Sequence, residues 1–309
     1  MPDVEAADRV LAGQDTSAFA GRATLPLQGV SARGAPPPTS QKMNEKTAAD
    51  LLFEEYLTTA GLPFRYEEPL RETTKVPDYQ VEWRSRVHLF EVKGFDPEVK
   101  AGEGFGTFDP YPPIRKKITK AVEKFKDLEA YPCSLVLHNA SPGLILLEPF
   151  IVLGAMLGDV AFQIPVHPDG RGLDDKKITN VFTKGGKMLK YGKGAKPFAP
   201  ENTTINAIIV VAHYAVGQKR FFQHVEALQK SGGRKLTDEE FWAEMERCQG
   251  TDRDVSLSVV RCRIHENPCA RMPLPRDLFC GPYDERFGSD GEGHIVRLFA
   301  GAEIATFEN

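Results

Sequence analysis

The segment KVPDYQVEWRSRVHLFEVKG, residues 75–94, is the feature that most restricts how this chain can fold. Its apolar residues alternate in the pattern of two half-buried β-strands, PDYQVEW and RVHLFEVKGF. Asp78 opens the first predicted strand, and Glu91 lies on the second with Lys93 two residues further. A buried charge is costly unless it is paired or binds a metal. The pattern therefore predicts a functional role for these charged residues.

Strand geometry predicts how the three side chains are directed. Residues i and i+2 of a strand share a face, so Glu91 and Lys93 project together. If the two strands pair as an antiparallel hairpin, Asp78 lies near Glu91 across the ladder. Two converging carboxylates beside a lysine form a site for a hard divalent cation, and oxygen ligands favour Mg²⁺ or Mn²⁺ over zinc. The lysine can hold a water molecule or an anionic oxygen.

The composition is typical of a globular protein with a sizeable core. Hydrophobic residues make up 41% and charged residues 27% of the 309 residues. The sequence contains no apolar run of the length that a membrane helix needs. The acidic N-terminus, with Asp3, Glu5 and Asp8, argues against a secretory signal or a transit peptide. The five cysteines are not closely spaced, which indicates reduced thiols. We therefore expect a cytoplasmic protein, and one without a membrane segment.

Three regions of the chain differ in pattern. Residues 1–43 are rich in Ala, Gly, Ser and Pro and predict a disordered tail. Residues 44–142 predict a core of one helix starting at Asn44, three strands, an amphipathic helix over IRKKITKAVEKFKDL and an apolar strand, CSLVLHN. Residues 143–309 predict an accessory α/β region that can complete the same sheet. The predicted class is α/β, with a mixed sheet flanked by helices.

This order of elements, together with the acidic constellation, resembles the PD-(D/E)XK nuclease superfamily, in particular the nuclease domains of T7 endonuclease I and the TnsA transposase subunit. The matching residues are Pro77, Asp78, Glu91, Val92 and Lys93. The resemblance covers roughly the predicted core and implies a restriction-endonuclease-like fold with a C-terminal α/β extension. It also implies a Mg²⁺-dependent nuclease, with DNA as the preferred substrate, of a restriction, defence or mobile-element type.

The same resemblance implies roles for individual residues. Asp78 and Glu91 would bind the metal with the Val92 carbonyl, and Lys93 would position the attacking water or help to deprotonate it. A further metal-binding acid is expected on the first helix. Asp50 occupies the position where related proteins carry Glu, and Glu54, one turn later on the same face, can substitute for it.

Two basic clusters are candidates for phosphate contacts, although the net charge of the chain is −4. Local positive fields attract a polyanion more effectively than total charge does. The resemblance implies that the second helix borders the scissile phosphate, with Lys117 and Lys120 as contacts. Lys187 and Lys190 stand among glycines in the second cluster, residues 184–196. The alternative for both clusters is a solvated charged face.

Other interpretations stay open at this point. The chain can be a non-catalytic nucleic-acid-binding subunit that retains the nuclease fold, or a structural protein in which Asp78 and Lys93 form only an ion pair. A homodimer and a larger complex are both compatible with the sequence. A further group of residues, of the types that bind zinc, is irregularly spaced in the sequence. This spacing favours buried thiols over a zinc site. The members of this group are Cys262, His265, Cys269 and Cys280.

Overall fold

The fold is described from a computed structural model of the chain. The described residues are 45–306 apart from 71–72, 74, 96–108, 141–146, 159, 164–178, 183–184, 191–198 and 290–294. The chain divides into two units, residues 1–44 and residues 45–309, and only the second contains described residues. The predicted disordered tail, residues 1–43, lies outside the described residues.

The described residues form six helices and twelve strands. The helices are α1 (Ala48–Thr59), α2 (Tyr111–Phe125), α3 (Pro149–Leu157), α4 (Val216–Gly232), α5 (Asp238–Arg247) and α6 (Ala302–Thr306). The first six strands are β1 (Phe64–Tyr66), β2 (Tyr79–Trp83), β3 (Arg86–Phe95), β4 (Cys133–Asn139), β5 (Val160–Gln163) and β6 (Thr179–Phe182). The remaining strands are β7 (Leu189–Lys190), β8 (Ala199–Pro200), β9 (Ile205–Tyr214), β10 (Val259–Glu266), β11 (Glu285–Ser289) and β12 (Ile295–Ala300). No described helix combines the length and the apolar character needed to cross a membrane.

Eight of these strands form one mixed sheet in the order β1-β2-β3-β4-β9-β10-β11-β12. β1, β2 and β3 are antiparallel neighbours, whereas β3, β4 and β9 run parallel. β9 and β10 are antiparallel, β10 and β11 parallel, and β11 and β12 antiparallel. β5 pairs with β6 and β7 with β8 in two separate ribbons. Both halves of the described chain therefore contribute strands to one sheet.

Helices cover both faces of this sheet. α1 packs on one face, in a core that includes Phe90 of β3. α2 and α3 pack on the other face, in a core that includes Leu89 of β3. Consecutive strand residues point to opposite faces, so Glu91 and Lys93 share the α2 face with Leu89. The predicted α/β class, with a mixed sheet flanked by helices, is confirmed.

The structure differs from the sequence prediction at several places. α1 begins after Thr47, and not at Asn44, because Thr47 and Asp50 form a capping box that satisfies the first backbone N–H groups. The C-terminal segment HIVRLFAGAEIATF has the apolar pattern of a strand, but its strand β12 ends at Ala300 and the helix α6 follows. β11 was not predicted, because its buried Arg286 breaks the apolar pattern.

Arg286 is accommodated by contacts with distant residues. Its guanidinium donates to the Glu266 carboxylate at 2.8 Å and to the backbone carbonyls of Pro275 at 3.0 Å and Leu278 at 2.7 Å. A buried charge with a counter-ion and several hydrogen bonds is tolerated in a protein core. These partners explain how a charged strand can lie within the sheet.

A buried hydrogen bond joins α1 to the C-terminal part of the sheet. Tyr56 on α1 donates its hydroxyl proton to the Asp284 carboxylate at 2.5 Å. The same carboxylate accepts the backbone N–H groups of Cys262 at 2.8 Å and Gly281 at 2.7 Å. Burial, followed by the neighbouring Cys262 and Asp284 groups, raises the pKa of Tyr56 above its usual value. Tyr56 therefore remains a protonated donor at neutral pH.

We expect Tyr56→Phe to destabilise the fold by about 1–3 kcal/mol, because it removes a donor from a buried carboxylate and keeps the ring. The measurement is the free energy of unfolding in urea at pH 7. The control is Tyr131→Phe, which we expect to change stability by no more than about 0.5 kcal/mol, because the Tyr131 hydroxyl makes no hydrogen bond to another described residue. Equal losses in the two variants would contradict the importance of this hydrogen bond.

Candidate active site

Asp78 and Glu91 meet where β2 begins beside the middle of β3. Asp78 immediately precedes β2, and the register of the two strands pairs Tyr79 with Phe90. One step back along this antiparallel ladder brings Asp78 opposite Glu91, at the distance of cross-strand neighbours. The structure therefore places the two acids together on the face of the sheet that α2 covers.

Backbone contacts orient the Asp78 carboxylate. Its Oδ2 atom accepts the backbone N–H of Val92 at 2.8 Å, and the Asp78 carbonyl accepts the N–H of Glu67 at 2.9 Å. In an extended strand the N–H and C=O of one residue point to the same edge. The Val92 carbonyl is therefore directed to the edge where Asp78 lies. Because the Val92 N–H holds Asp78 Oδ2, Asp78 Oδ1 points toward the side chain of Lys124.

The Glu91 carboxylate is buried between two lysines. Its side chain is 3% exposed, Lys93 Nζ lies 2.5 Å from Oε1, and Lys124 Nζ contacts Oε2. Burial, followed by the negative charge of Asp78, raises the pKa of Glu91, whereas the charges of Lys124 and Lys93 lower it. The net result is a pKa above the usual value of a glutamate, and the charges of the two lysines oppose this shift.

Lys124 of α2, which the sequence pattern does not distinguish from the neighbouring lysines, completes the site. Its Nζ lies 2.6 Å from Asp78 Oδ1 and also contacts Glu91 Oε2. Burial alone would lower the pKa of Lys124, but Asp78 and Glu91 raise it, so the amine stays charged. A signal was present in the sequence, because Lys124 lies seven residues after Lys117 and four after Lys120 and so shares their helix face.

Asp78, Glu91, Lys93 and Lys124 together form what we call the carboxylate–lysine cluster. Lys93 Nζ also lies 3.5 Å from Asp78 Oδ2, so each lysine reaches both acids and the four formal charges sum to zero. Lys124 acts as a stand-in cation, because one ammonium group contacts an oxygen of each carboxylate. Two carboxylates and a nearby carbonyl that converge in this way fit a hard divalent cation such as Mg²⁺.

The two first-helix acids make contacts of their own. Asp50 Oδ2 accepts hydrogen bonds from the Thr47 N–H at 2.9 Å and the Thr47 hydroxyl at 2.6 Å. Glu54 Oε1 lies 2.5 Å from Lys46 Nζ and accepts the Tyr79 hydroxyl at 3.1 Å. Among the described residues, no contact joins either acid to the carboxylate–lysine cluster. The structure therefore does not bring Asp50, or Glu54 as its substitute, into the predicted metal site.

Tyr66 of β1 shows that Asp50 nevertheless contributes to the electrostatic field near the site. Burial, followed by the charges of Glu67, Asp50 and Asp78, raises the pKa of Tyr66 to about 12. The phenol therefore remains protonated at neutral pH. Asp50 and Asp78 therefore both act on the Tyr66 hydroxyl.

Lys117 and Lys120 extend from the site along one side of α2. Lys117 Nζ lies 5.4 Å from the centre of the Phe95 ring, near the end of β3, and Lys120 is exposed. Residues three, four and seven apart on a helix share a face. The structure therefore arranges Lys117, Lys120 and Lys124 as one basic row, which we call the α2 lysine row.

Lys187, by contrast, lies on the other side of α2. It borders a cavity whose wall on α2 includes Arg115, Thr119 and Glu123. At about 100° per residue, these side chains project from the helix side opposite the α2 lysine row. The structure therefore places Lys187 away from the α2 lysine row. Lys190 belongs to β7, and its side chain lies outside the described residues.

Among the described residues, Cys262, His265, Cys269 and Cys280 do not gather into a group that could hold a metal ion. The five cysteines are free thiols. Cys262 lies in the α1-side core, whereas the buried His265 stacks on Phe287 on the other face and its Nδ1 lies 3.1 Å from the Ile208 carbonyl. Burial, followed by the charge of Arg263, lowers the pKa of His265 to about 3. His265 is therefore a neutral core residue.

Among the described residues, one group of side chains that could bind a metal lies on α4, on α5 and at the end of α5. His224, Glu244 and Cys248 each place a ligand atom within 4.8 Å of the others. Arg247 Nε donates to Glu244 at 2.8 Å, and Arg247 Nη2 lies 3.3 Å from His224 Nε2. This guanidinium supplies the positive charge that a metal ion would supply there. In the structure Glu244 is therefore paired with both Arg247 and His224.

Comparisons of the chain with protein-family models, curated proteins and solved structures find no match. A functional assignment therefore depends on the geometry and chemistry of the residues themselves. The carboxylate–lysine cluster is the described group that best combines converging acids, partial exposure and perturbed pKa values, which are features of functional sites.

We expect Glu91→Gln to destabilise the metal-free protein by about 1–3 kcal/mol, because two partly buried lysines lose a charged partner. If Asp78 and Glu91 lay together without the two lysines, Glu91→Gln would instead stabilise the protein, because it would relieve the repulsion between the two carboxylates. The measurement is urea unfolding at pH 7 in the presence of a chelator. Glu123→Gln, at an exposed position of α2, is the control, and a loss no greater than the control's would refute the pairing.

Proposed function

We propose that this protein is a Mg²⁺-dependent nuclease that hydrolyses phosphodiester bonds, with DNA as its preferred substrate. The observation that carries the proposal is the convergence of Asp78, Glu91 and Lys93 at one point of the sheet, where the single ammonium group of Lys124 contacts both carboxylates. Mn²⁺ can replace Mg²⁺, because it accepts the same oxygen ligands.

The first half of the described chain supports a restriction-endonuclease-like core. α1, β1, β2, β3, α2 and β4 follow one another in the order that PD-(D/E)XK nucleases use, and β3 lies parallel to β4. Pro77 and Asp78 precede β2, and the Glu91-Val92-Lys93 triplet lies on β3, as in the motif of that superfamily. A restriction, defence or mobile-element setting belongs to the same proposal.

Asp78 and Glu91 would hold the divalent cation, with the Val92 carbonyl as a further oxygen ligand. A divalent cation bound there would neutralise negative charge on the phosphate that undergoes attack. The Val92 N–H fixes the Asp78 carboxylate from behind at 2.8 Å, so Oδ1 is oriented before any ligand arrives. A preorganised carboxylate of this kind needs little rearrangement during the reaction.

Lys93 is the residue that we place beside the reacting atoms. Its Nζ lies 2.5 Å from Glu91 Oε1, and its side chain is 29% exposed, so it reaches both the buried acid and the solvent. From this position the ammonium group can hold the attacking water and donate hydrogen bonds to the phosphate oxygens. Charge stabilisation of that kind acts mainly in the transition state.

The α2 lysine row would bind the part of the substrate that extends beyond the carboxylate–lysine cluster. Lys117 and Lys120 lie on the same helix side as Lys124, which contacts the carboxylates directly. Contacts between lysines and phosphates fix the position of a nucleic acid without reading its bases. We therefore place the strand that is cleaved alongside α2, with its phosphates facing this row.

The second candidate function is a non-catalytic nucleic-acid-binding subunit that retains the nuclease fold. The charge balance of the carboxylate–lysine cluster favours it, because two lysines neutralise the two acids without any metal. A homodimer or a larger complex is compatible with either function. The two functions differ in whether phosphodiester bonds are broken.

A digest of labelled ssDNA, dsDNA, branched DNA and RNA with Mg²⁺ or Mn²⁺ tests the nuclease proposal. We expect metal-dependent cleavage of at least one DNA substrate, and a loss of turnover of at least about 100-fold in Asp78→Asn and in Lys93→Ala. Lys93→Ala should retain most of its affinity for the substrate, because lysine is not a metal ligand here.

The control for this digest is Asp238→Asn, at an exposed position in the first turn of α5, which should cleave at the wild-type rate. Binding of nucleic acid without cleavage, under every metal condition, would favour the non-catalytic function. Full activity of Asp78→Asn would exclude the carboxylate–lysine cluster as the active site.

We expect Lys117→Gln/Lys120→Gln to lower the affinity for DNA and the dependence of that affinity on salt. Each lost phosphate contact on a duplex should reduce the slope of log affinity against log salt by roughly 0.9. The measurement is DNA binding at several salt concentrations in a chelator, which prevents cleavage. Lys187→Gln is the control and should leave the slope unchanged, because Lys187 lies across α2 from the row. Equal slopes for the double variant and the wild type would place the binding surface elsewhere.

A further inference from the structure

Lys124 holds the pair of oxygens that the proposed cation would use. Its Nζ lies 2.6 Å from Asp78 Oδ1 and contacts Glu91 Oε2. Lys93 is nearest to the other oxygen of each acid, at 3.5 Å from Asp78 Oδ2 and 2.5 Å from Glu91 Oε1. Asp78 Oδ2 is also engaged by the Val92 N–H. Asp78 Oδ1 and Glu91 Oε2 are therefore the oxygens with which the two acids would hold a cation, and Lys124 contacts both of them.

A divalent cation and the Lys124 ammonium cannot occupy this position together. Both are positive, and both need the same two carboxylate oxygens at contact distance. Lys124 has a route out, because its side chain is 29% exposed at the edge of α2. Lys93 can stay in place, because the oxygens nearest to it are not Asp78 Oδ1 and Glu91 Oε2.

We infer that Lys124 is a displaceable internal cation, which fills the cation position of the site until a divalent ion replaces it and which then turns to the phosphates of the substrate. The inference rests on the proposed function, because it takes Asp78 and Glu91 as the ligands of the ion. It adds a role for Lys124 as a positioning residue, which controls when the site can bind metal.

The charges of the site favour this exchange in the presence of substrate. With Lys124 in place, the carboxylate–lysine cluster is neutral. With a divalent ion in its place, the remaining groups carry one net positive charge, which a substrate phosphate neutralises. The released Lys124 lies in the α2 lysine row and gains a phosphate partner there. The ion and the nucleic acid should therefore strengthen each other's binding, and this coupling is reciprocal.

The test is the affinity of the full chain for Mn²⁺, measured by calorimetry without nucleic acid. Lys124→Met should bind Mn²⁺ at least about tenfold more tightly than the wild type, because the ion no longer has to displace an ammonium group that is hydrogen-bonded to Asp78 and ion-paired with Glu91. Lys124→Arg keeps the internal charge and should bind Mn²⁺ no more tightly than the wild type. Lys116→Met, at an exposed position of the same helix, is the control for the loss of one positive charge.

The outcomes separate this inference from the proposed function. If Asp78→Asn loses Mn²⁺ binding but Lys124→Met has the wild-type affinity, the inference is wrong and the metal site stands. If Asp78→Asn binds Mn²⁺ as the wild type does, the ion binds elsewhere, and both the inference and the proposed metal site fail. A gain in Lys116→Met equal to that in Lys124→Met would also overturn the inference, because it would reflect net charge alone. If Lys124→Met does not fold, Lys124→Gln takes its place with the same tenfold criterion.

Discussion

The Val92 N–H donates to the side chain of Asp78, the residue just before β2, and this hydrogen bond depends on the register between β2 and β3. A slip of one residue in that register would move the Asp78 side chain to the opposite face of the sheet. The acids would then point toward different helices. Register is specified here by the apolar residues that β2 and β3 send toward α1, such as Tyr79 and Phe90. Packing on the α1 face thus determines the chemistry on the α2 face.

The local part of the fold could be predicted from the sequence because it follows from short periodic patterns. The alternation in residues 75–94 predicted β2 and β3, and the apolar spacing after Ile114 predicted α2. The proximity of Asp78 and Glu91 followed from the same alternation once the strands were taken as a hairpin. Such signals depend on neighbours within a few positions, which a sequence shows directly.

The features that could not be predicted depend on residues far apart in the chain. β11 carries a buried arginine, whose place in the sheet is explained only by Glu266 and carbonyl groups of another segment. Lys124 was one of several lysines on α2, and only the packing of the helix against β3 determines which of them meets the acids. Asp50 looked available for metal binding, but its carboxylate is used by the helix cap. In each case a local pattern was compatible with more than one tertiary partner.

The parallel pairing of β4 with β9 has a consequence for how the chain folds during synthesis. β4 is almost entirely buried, but its partner β9 begins only at Ile205, after residues 140–204 have been made. Until then β4 is an apolar edge strand with unpaired backbone groups, which can pair with other chains. Contacts between segments this distant also slow folding. A ribosome that stalls within residues 140–204 would therefore release a nascent chain prone to aggregation, and chaperones that shield apolar edges would be needed most over that interval.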